Sequence, residues 1–406
     1  MSLANSNQEL VLEVADRFRS VFGSTPDSVA LHEPDFDGRE AELLIDCLNS
    51  GYVSSVGRYV TEFETELARV CGVKYAVAVV NGTAALELAL HVANVGADSE
   101  VLMPSFTFVA TANAARHLGA IPHFVDIDPD NMGLNPDALR GHLESILDRK
   151  RGVAWNHRSG RRIAAIVPMH TFGHPVDFDP LQAVAEEFDI PIIEDAAESL
   201  GSKYFEKPCG SLGMVGAVSF NGNKIITTGG GGAVLTNQES LAQKAKHLST
   251  TAKLPHRWEF IHDQVAYNYR MPNLNAALGL AQLERLELRI REKRALATFY
   301  LDTFKSIDGI TIFKEAKGVR SNYWLNAMIL DQEVANARDP ILTMLNDSGI
   351  LARPSWKPLH TLAMYRECPR AELPVTNDLH SRLINIPSSA SLRAKLIPRT
   401  ENDRRY

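Results

Sequence analysis

The chain contains little cysteine and no long apolar run. Its 406 residues include four cysteines without paired spacing, so neither a disulfide framework nor a zinc site is expected. No apolar stretch approaches the roughly 20 residues that span a bilayer, and the N-terminus has the pattern of an amphipathic helix, not of a secretory signal. These absences predict a cytoplasmic protein with no membrane segment and no metal.

Positive charge is also scarce. The net charge is −7 at pH 7, which argues against nucleic-acid binding because phosphate backbones attract basic surfaces. Two short basic segments, residues 149–162 and the C-terminal RTENDRRY, are interpreted as solvated loops or tails. The motifs G-x-S-x-G, H-E-x-x-H and post-strand G-x-G-x-x-G are absent, so serine-nucleophile, zinc-protease and nicotinamide-binding classes are not indicated.

Strand-like and helix-like segments alternate from about residue 74. This alternation predicts an α/β fold with a mainly parallel, doubly wound sheet, whose strand carboxyl ends carry the functional site. After about residue 280, one long charged helix and the strand-like YWLNAMIL predict a smaller α+β domain. The predicted organisation is an N-terminal helical extension (1–30), a large domain that holds the site (31–280) and a small C-terminal domain (281–406).

Two polar segments follow predicted strands. In VVNGTAALELAL, a strand runs into Asn81 and Gly82 and a helix opens at Thr83 and Ala84. Backbone N–H groups at such a helix start bind anions, usually phosphate, although Thr83 could simply cap the helix. In IPIIEDAAESLGS, Asp195 ends an apolar strand. It either fixes the protonated ring nitrogen of a cofactor or serves as a cap or salt-bridge partner.

A third segment, SFNGNKIITTGGGG, places Lys224 just after a strand and ahead of four glycines. A phosphate-binding loop needs its lysine after the glycines and a hydroxyl next, whereas Ile225 follows here, so that class is set aside. A desolvated lysine can form a Schiff base, while an ordinary lysine is a solvated surface charge. The lysine alone does not decide between these roles.

The three segments together point to one cofactor. Pyridoxal 5'-phosphate (PLP) requires an anion pocket, a partner for its ring nitrogen and an amine for its aldehyde. The Thr83 turn, Asp195 and Lys224 supply these groups at strand ends of one predicted sheet. His170 and His174 suggest a metal pair, but no third ligand has suitable spacing, so a structural role is predicted for them.

The chain resembles the DegT/DnrJ/EryC1/StrS family of PLP-dependent sugar aminotransferases, from about Leu31 to near the C-terminus. The segments that carry the resemblance are GYVSSVGRYVTEFE, VVNGTAALELAL, PSFTFVATANA, PMHTFGHPVD, IIEDAAESLGS, SFNGNKIITTGGGG and YNYRMPNLNAALG. The resemblance implies the fold type I architecture and a homodimer with active sites shared between subunits. It identifies Lys224 with the Schiff-base lysine and Asp195 with the partner of the ring nitrogen. The implied phosphate-binding residues are Gly82, Thr83, Ala84 and Ser219.

Three further cofactor contacts follow from the resemblance. Phe108 stands where the family places an aromatic ring over the cofactor, although SFTFV also suits core packing. Asn268 matches an asparagine that reaches the phosphate in the neighbouring subunit. Glu198 departs from the family pattern, because many relatives carry glutamine or histidine there. A carboxylate beside the cofactor ring would change local proton affinities.

SFNGNK, SSVGRYV, YNYRMPN and AWNHRSGRR look most like a branch that acts on UDP-linked 4-keto-6-deoxy-N-acetylhexosamines, on the way to N-acetylbacillosamine or legionaminic acid. The resemblance implies amino transfer from glutamate to the C4 ketone of the sugar, with ping-pong kinetics. The principal candidates for sugar-nucleotide contacts are Lys253, Arg270, Trp324 and His360. Further candidates are His256, Trp258, Asn322, Arg353 and Trp356, although such residues are most often structural or solvated.

Three alternative functions are considered: a sugar dehydratase, a non-catalytic regulator and an aminotransferase for a GDP-linked sugar. A sugar dehydratase of the same fold either replaces the Schiff-base lysine by histidine, which Lys224 opposes, or needs an iron–sulfur partner, which the scattered cysteines do not suggest. A non-catalytic regulator that binds the cofactor or a nucleotide sugar is opposed by the intact Lys224 and Asp195. An aminotransferase for a GDP-linked sugar stays open, because base recognition depends on loops.

Overall fold

A computed structural model of the chain describes residues 3–23, 28–148 and 154–396. The C-terminal RTENDRRY and the first part of the basic segment 149–162 lie outside these residues. All four cysteines are free thiols. Within the described ranges, no helix is both long and apolar enough to cross a membrane.

The helices of the described chain are α1 (Leu3–Phe22), α2 (Glu40–Ser50), α3 (Arg58–Val70), α4 (Gly82–Val92), α5 (Val109–His117), α6 (Pro136–Ile146), α7 (Phe178–Phe188), α8 (Glu239–Ser249), α9 (Asn273–Glu284), α10 (Leu286–Phe304), α11 (Arg338–Asp347), α12 (Pro374–Arg382) and α13 (Leu392–Leu396). The strands are β1 (Tyr75–Val79), β2 (Ser99–Pro104), β3 (Ile121–Val125), β4 (Leu147–Asp148), β5 (Trp155–Asn156), β6 (Arg161–Ile166), β7 (Ile193–Asp195), β8 (Lys203–Tyr204), β9 (Lys207–Pro208), β10 (Val215–Ser219), β11 (Gly232–Thr236), β12 (Ile310–Ile312), β13 (Val319–Arg320), β14 (Asn326–Leu330), β15 (Arg353–Pro354) and β16 (Leu383–Ile386).

The central sheet has the strand order β1-β11-β10-β7-β6-β2-β3, with β6 joined to the start of β7 through the parallel bridge between Ile166 and Ile192. Strand β11 is antiparallel to both of its neighbours, whereas β10 and β7, and β6, β2 and β3, run parallel. The prediction of a mainly parallel α/β sheet is therefore confirmed.

Helices cover both faces of this sheet, which explains why its strands are nearly continuous apolar runs. Strand β1, YAVAV, and strand β10, VGAVS, are buried almost throughout. On one face, α4, α5 and α8 contribute to a core with Val77, Val79 and Ala217. On the other face, α3 and α9 pack against Ala76, Ala78 and Val218. The ends of β1, β7 and β10 consequently meet at one edge of the sheet.

A second sheet, β12-β14-β16-β15, builds a separate core with α10 and α11. Helix α1 belongs to this core, because Leu10, Val14 and Phe18 are buried beside Tyr300 and Phe304. The chain then runs alongside residues 349–351 through the backbone hydrogen bonds of Val29. The division of the chain into domains, with a boundary near residue 281, stays a prediction.

The prediction of one long helix after residue 280 is wrong, because α9 and α10 are separate helices that meet at Arg285. The backbone N–H of Arg285 bonds to the carbonyls of Gln282 and Leu283, so the regular i to i−4 pattern is interrupted. Its guanidinium forms an ion pair with Asp37.

Candidate active site

A cavity of about 320 Å³ lies at the carboxyl ends of β1, β7 and β10. The predicted site residues that line it are Gly82, Thr83, Phe108, Asp195, Glu198, Ser219, Lys224, Trp324 and Trp356. They come from segments that are far apart in sequence and are brought together by the sheet. Cofactor sites of open α/β sheets occupy the same position, outside the strand carboxyl ends.

The start of α4 forms one end of the cavity. Asn81, and not Thr83, is the N-cap: its side-chain oxygen accepts the backbone N–H of Ala84 at 2.8 Å. Thr83 is left to line the cavity, and Ala84 is buried in the helix behind it. A Cβ on Gly82 would lie 2.7 Å from Cβ of Ser219, so only glycine allows β10 to approach the helix so closely. The helix N-terminus and Ser219 thus face the same space, as an anion site requires.

Asp195 is buried at the end of β7. Its carboxylate accepts hydrogen bonds from the hydroxyl of Thr111 at 2.7 Å and from the backbone N–H of Ala197 at 3.2 Å. Burial raises the pKa of Asp195, and the hydrogen bond from Thr111 is the main opposing effect. A carboxylate held in this way lowers its energy by gaining a cationic partner, such as a protonated ring nitrogen.

The adjacent acid, Glu194, has a structural role. One of its oxygens accepts the backbone N–H groups of Leu212 and Gly213, and the other accepts that of Gly210 and contacts Nε2 of His170 at 2.9 Å. These partners satisfy the buried carboxylate and fix the loop that leads into β10. Of the two strand-end acids, only Asp195 lines the cavity.

Lys224 projects into the cavity between a carboxylate and an indole ring. Its Nζ donates to Oε1 of Glu198 at 3.3 Å and lies 3.9 Å from the ring centre of Trp324. The other oxygen of Glu198 accepts the backbone N–H of Phe172 at 2.9 Å. Burial raises the pKa of Glu198 to about 7, against the opposing charge of Lys224. The amine is therefore largely desolvated and has a group beside it that can gain or lose a proton near neutral pH.

Aromatic rings form the walls of the cavity. Phe108 is 47% exposed, and its ring centre lies 6.4 Å from that of Trp356. The core position of SFTFV is instead Phe106, which is fully buried. Trp324 is held by a hydrogen bond from Nε1 to the carbonyl of Asn223 at 2.7 Å. Two of these rings come from the C-terminal third of the chain, so the site lies between the two cores.

Besides Ala84, the predicted residues Asn268, Arg270, Lys253 and His360 do not line this cavity. Asn268 is exposed and pairs through its backbone with Thr250. Arg270 forms a largely buried ion pair with Glu64, which leaves its guanidinium little capacity for a substrate. The ammonium of Lys253 lies 3.8 Å from the ring centre of Phe260, and Nδ1 of His360 lies 2.8 Å from the hydroxyl of Ser105. The chain by itself therefore offers no contact of these four with the cavity.

The two histidines of PMHTFGHP have separate surroundings. His170 contacts Glu194, while His174 lies edge-on to the rings of Phe313 and Tyr323, about 5 Å away. Burial lowers the pKa of His174 to about 3. Within the described residues, no group of three or more histidine, cysteine, aspartate or glutamate side chains could hold a metal ion.

Several lining residues escaped the sequence analysis. Asn221 and Asn223 lie within the SFNGNK segment, so their proximity to Lys224 could have indicated them. Asn81 was noted only as part of a turn, although asparagine is a preferred N-cap. Met169 and Ala110 carry no signal, because ordinary apolar residues reveal nothing about a site until the fold places them.

PLP fits the residues that are present. The α4 N-terminus with Ser219 suits its phosphate, the buried Asp195 suits its ring nitrogen, and the amine of Lys224 suits its aldehyde. The Gly82 position keeps the phosphate end free of a side chain. Fold and site together define a PLP-dependent transferase of fold type I.

The chain belongs to the DegT/DnrJ/EryC1/StrS aminotransferase family, whose sequence profile matches residues 34–399. It is 37% identical to a GDP-perosamine synthase of Vibrio cholerae, over 89% of this chain and 94% of the relative. It is 31% identical to a UDP-2-acetamido-2-deoxy-3-oxo-D-glucuronate aminotransferase of Pseudomonas aeruginosa, over 82% and 86% of the two chains. A crystal structure of a family member from Brucella abortus superposes with a TM-score of 0.79 at 30% identity, over 88% and 93% of the chains.

These similarities confirm the predicted family, fold class and cofactor. The protein is a PLP-dependent nucleotide-sugar aminotransferase. The GDP- and UDP-linked names of the two relatives differ in the nucleotide, so membership of the family does not select one.

Proposed function

We propose that this enzyme transfers an amino group from glutamate to the C4 ketone of a GDP-linked keto sugar. The observation that carries the chemistry is the placement of the Lys224 amine beside Glu198, in a cavity that Asp195 and the α4 N-terminus also face. The choice of GDP is supported by the 37% identity to a GDP-perosamine synthase, compared with 31% for the UDP-sugar relative.

Each proposed role follows from the position of the residue. The first turn of α4 and Ser219 bind the phosphate, and Asp195 holds the ring nitrogen protonated. PLP, when bound, supplies an electron sink and carries the amino group between donor and sugar. Nζ of Lys224 removes the proton from Cα of the donor and returns one to the sugar carbon that receives nitrogen. Phe108 covers a face of the cofactor, and Glu198 exchanges a proton with Lys224.

We propose further that the active enzyme is a homodimer in which Asn268 reaches the phosphate of the partner's cofactor. In support, Asn268 is exposed and does not line the cavity of its own chain. Large apolar side chains are exposed in the segment that precedes Asn268, including Trp258, Phe260 and Val265. Exposed apolar side chains clustered in this way are typical of protein–protein interfaces. Lys253 would belong to the same shared region.

A second candidate acceptor is a UDP-linked 4-keto-6-deoxy-N-acetylhexosamine. The segments SFNGNK, SSVGRYV and YNYRMPN favour it, because they look most like the branch of the family that acts on such sugars. The UDP-sugar aminotransferase of Pseudomonas aeruginosa is a further, more distant argument for a UDP-linked substrate.

An absorption titration followed by a sugar screen tests the proposal. The purified protein is expected to show the visible band of a lysine-bound PLP, and glutamate should convert it to the near-ultraviolet band of the aminated cofactor. A GDP-linked 4-keto sugar should then restore the visible band, while the UDP-linked N-acetyl sugar should restore it more slowly. Faster restoration by the UDP sugar would transfer the assignment to the second candidate. If glutamate does not convert the visible band, glutamate is not the amino donor.

A further inference from the structure

A second cavity, of about 500 Å³, adjoins the first. Asn223, Trp324 and Trp356 line both, so the two spaces are neighbours on either side of the aromatic wall. The outer cavity is completed by His32, from the segment that follows the N-terminal helix, and by β15 and β16 of the second sheet.

Two buried polar atoms of residues that line the outer cavity lack a hydrogen-bond partner. Asn385 is 4% exposed, and its Oδ1 forms no hydrogen bond. Nδ1 of His32 is likewise buried and unbonded. Buried polar atoms are almost always hydrogen-bonded. These two belong to residues that line one cavity, where a ligand can supply the missing partners.

The charge of these groups defines the ligand. Burial, together with the positive charges of Lys293, Lys224 and Arg289, lowers the pKa of His32 well below its usual value, so its imidazole is neutral. A neutral imidazole and an amide can each donate and accept, and they suit hydroxyl groups better than carboxylates. Trp324 and Trp356 line the same cavity, and aromatic rings can contact the apolar C–H face of a sugar ring.

A cation stands next to this neutral pair. Arg353 is directly opposite Asn385 in the β15–β16 ladder, which places both side chains on the same face. The guanidinium is exposed and forms no ion pair with any residue that the structure describes. A free guanidinium at the edge of a neutral polar pocket is suited to phosphate oxygens.

We propose that His32 and Asn385 determine sugar specificity by hydrogen-bonding the hydroxyl groups of the nucleotide-linked hexose, with Arg353 binding its diphosphate. This inference rests on the proposed nucleotide-sugar acceptor and adds the residues that recognise its sugar. Sites that hydrogen-bond a substrate hydroxyl reject analogues without it, because their own buried groups are then left unpaired.

The experiment compares GDP-mannose with GDP as calorimetric ligands of the PLP-loaded protein, and UDP-N-acetylglucosamine with UDP in parallel. The variants are His32→Phe and Asn385→Leu, which keep the approximate volumes and remove the polar atoms. Each is expected to bind the nucleotide sugar about tenfold more weakly, with affinity for the bare nucleotide within about twofold of wild type. Arg353→Gln should weaken nucleotide and nucleotide sugar alike.

Asn326→Leu is the matched control, because Asn326 lies on the neighbouring strand β14, also has a buried unbonded Oδ1, and lines neither cavity. It should leave both affinities unchanged. His32 and Asn385 lie in different segments, so either variant tests the inference if the other fails to fold. Thermal unfolding of each protein identifies such a failure.

Three results would overturn the inference. If both variants bind the nucleotide sugar with wild-type affinity, neither His32 nor Asn385 contacts the sugar. An equal loss for nucleotide and nucleotide sugar would assign the pocket to the base. An increase in the glutamate concentration for half-conversion, without a change in sugar affinity, would assign it to the amino donor. If wild-type protein responds to glutamate but binds neither nucleotide sugar, the proposed acceptor itself fails.

Discussion

Nζ of Lys224 and Oε1 of Glu198 lie 3.3 Å apart in a largely buried pair, with side chains 13% and 1% exposed. The amine of Lys224 is therefore in contact with a carboxyl group whose pKa is about 7. The protonation of Glu198 changes in the pH range where the enzyme is expected to work.

Replacement of Lys224 by arginine should abolish catalysis. The guanidinium keeps the positive charge beside Glu198, but it forms no Schiff base and is a poor base at neutral pH. We expect the visible absorption band to disappear and turnover to fall by at least about a thousandfold. Lys203→Arg, at an exposed lysine that pairs with Glu206, should retain both. Substantial turnover by Lys224→Arg would contradict the assignment.

Glu198 should make the stability of the cofactor-free protein depend on pH. Its pKa is about 7 in the folded state and 4.5 ordinarily, so between these values the folded protein retains a proton that the unfolded chain releases. The free energy of unfolding therefore falls as pH rises from 4.5 to 7, by up to about 3 kcal/mol, and stays lower above that range.

Urea unfolding of the cofactor-free protein at pH 5 and pH 8 checks this. In Glu198→Gln, most of this decrease in the free energy of unfolding should be absent, because the amide does not titrate. Glu206→Gln, at a side chain that is 96% exposed, should keep the wild-type dependence. Identical pH dependence in wild type and Glu198→Gln would show that burial does not raise this pKa.

Gly82→Ala should damage the phosphate end of the site. The new methyl group would lie 2.7 Å from Cβ of Ser219, so α4 and β10 would have to separate. We expect a loss of about 1–3 kcal/mol in unfolding free energy and at least about tenfold weaker PLP binding. Gly141→Ala is the control, since nothing lies within 4 Å of its position in α6 and alanine favours helices. Equal behaviour of the two variants would contradict the close approach.

Thr111→Val should shift the acid limb of the pH–rate profile. The Thr111 hydroxyl donates to Asp195 at 2.7 Å and opposes the burial that raises the pKa of this carboxyl. Without that hydrogen bond the pKa rises further, so the carboxylate form requires a higher pH. We expect the acid limb to move upward and kcat at pH 7 to fall about tenfold. Thr107→Val is the control, because Thr107 contacts Thr111 and Met169 but not Asp195. An unmoved acid limb would exclude this role of Thr111.

The site could be predicted as far as it is encoded in short segments. The strand-to-helix turn at Thr83, the acid of IPIIEDAAES and the lysine of SFNGNK each end a strand, and parallel strands bring their ends to one edge. Trp356, one of the further sugar-nucleotide candidates, lines the same cavity from more than 100 residues beyond Lys224, although no local pattern distinguishes it from a core aromatic. His32 and Asn385 were missed, since their missing hydrogen-bond partners exist only in three dimensions.

The errors in the fold have a similar origin. The break between α9 and α10 is a single residue, Arg285, whose backbone N–H bonds to the carbonyls of Gln282 and Leu283. The helical pattern across residues 277–304 is otherwise continuous, so sequence alone favours a single helix. Arg270, the arginine of YNYRM, is a candidate for a diphosphate because it is basic, whereas Glu64 on α3 already pairs with it.

Helix α1 is made first and yet completes a core that is made last. Its Leu10, Val14 and Phe18 pack against Tyr300, Phe304 and the strands that end at Ile386. At roughly 5–20 residues per second, a ribosome needs tens of seconds to pass from one to the other. During that time the central sheet can fold, while the apolar face of α1 remains without its partner. A nascent chain released before Ile386 would therefore expose this helix, which makes α1 the natural target of a chaperone during synthesis.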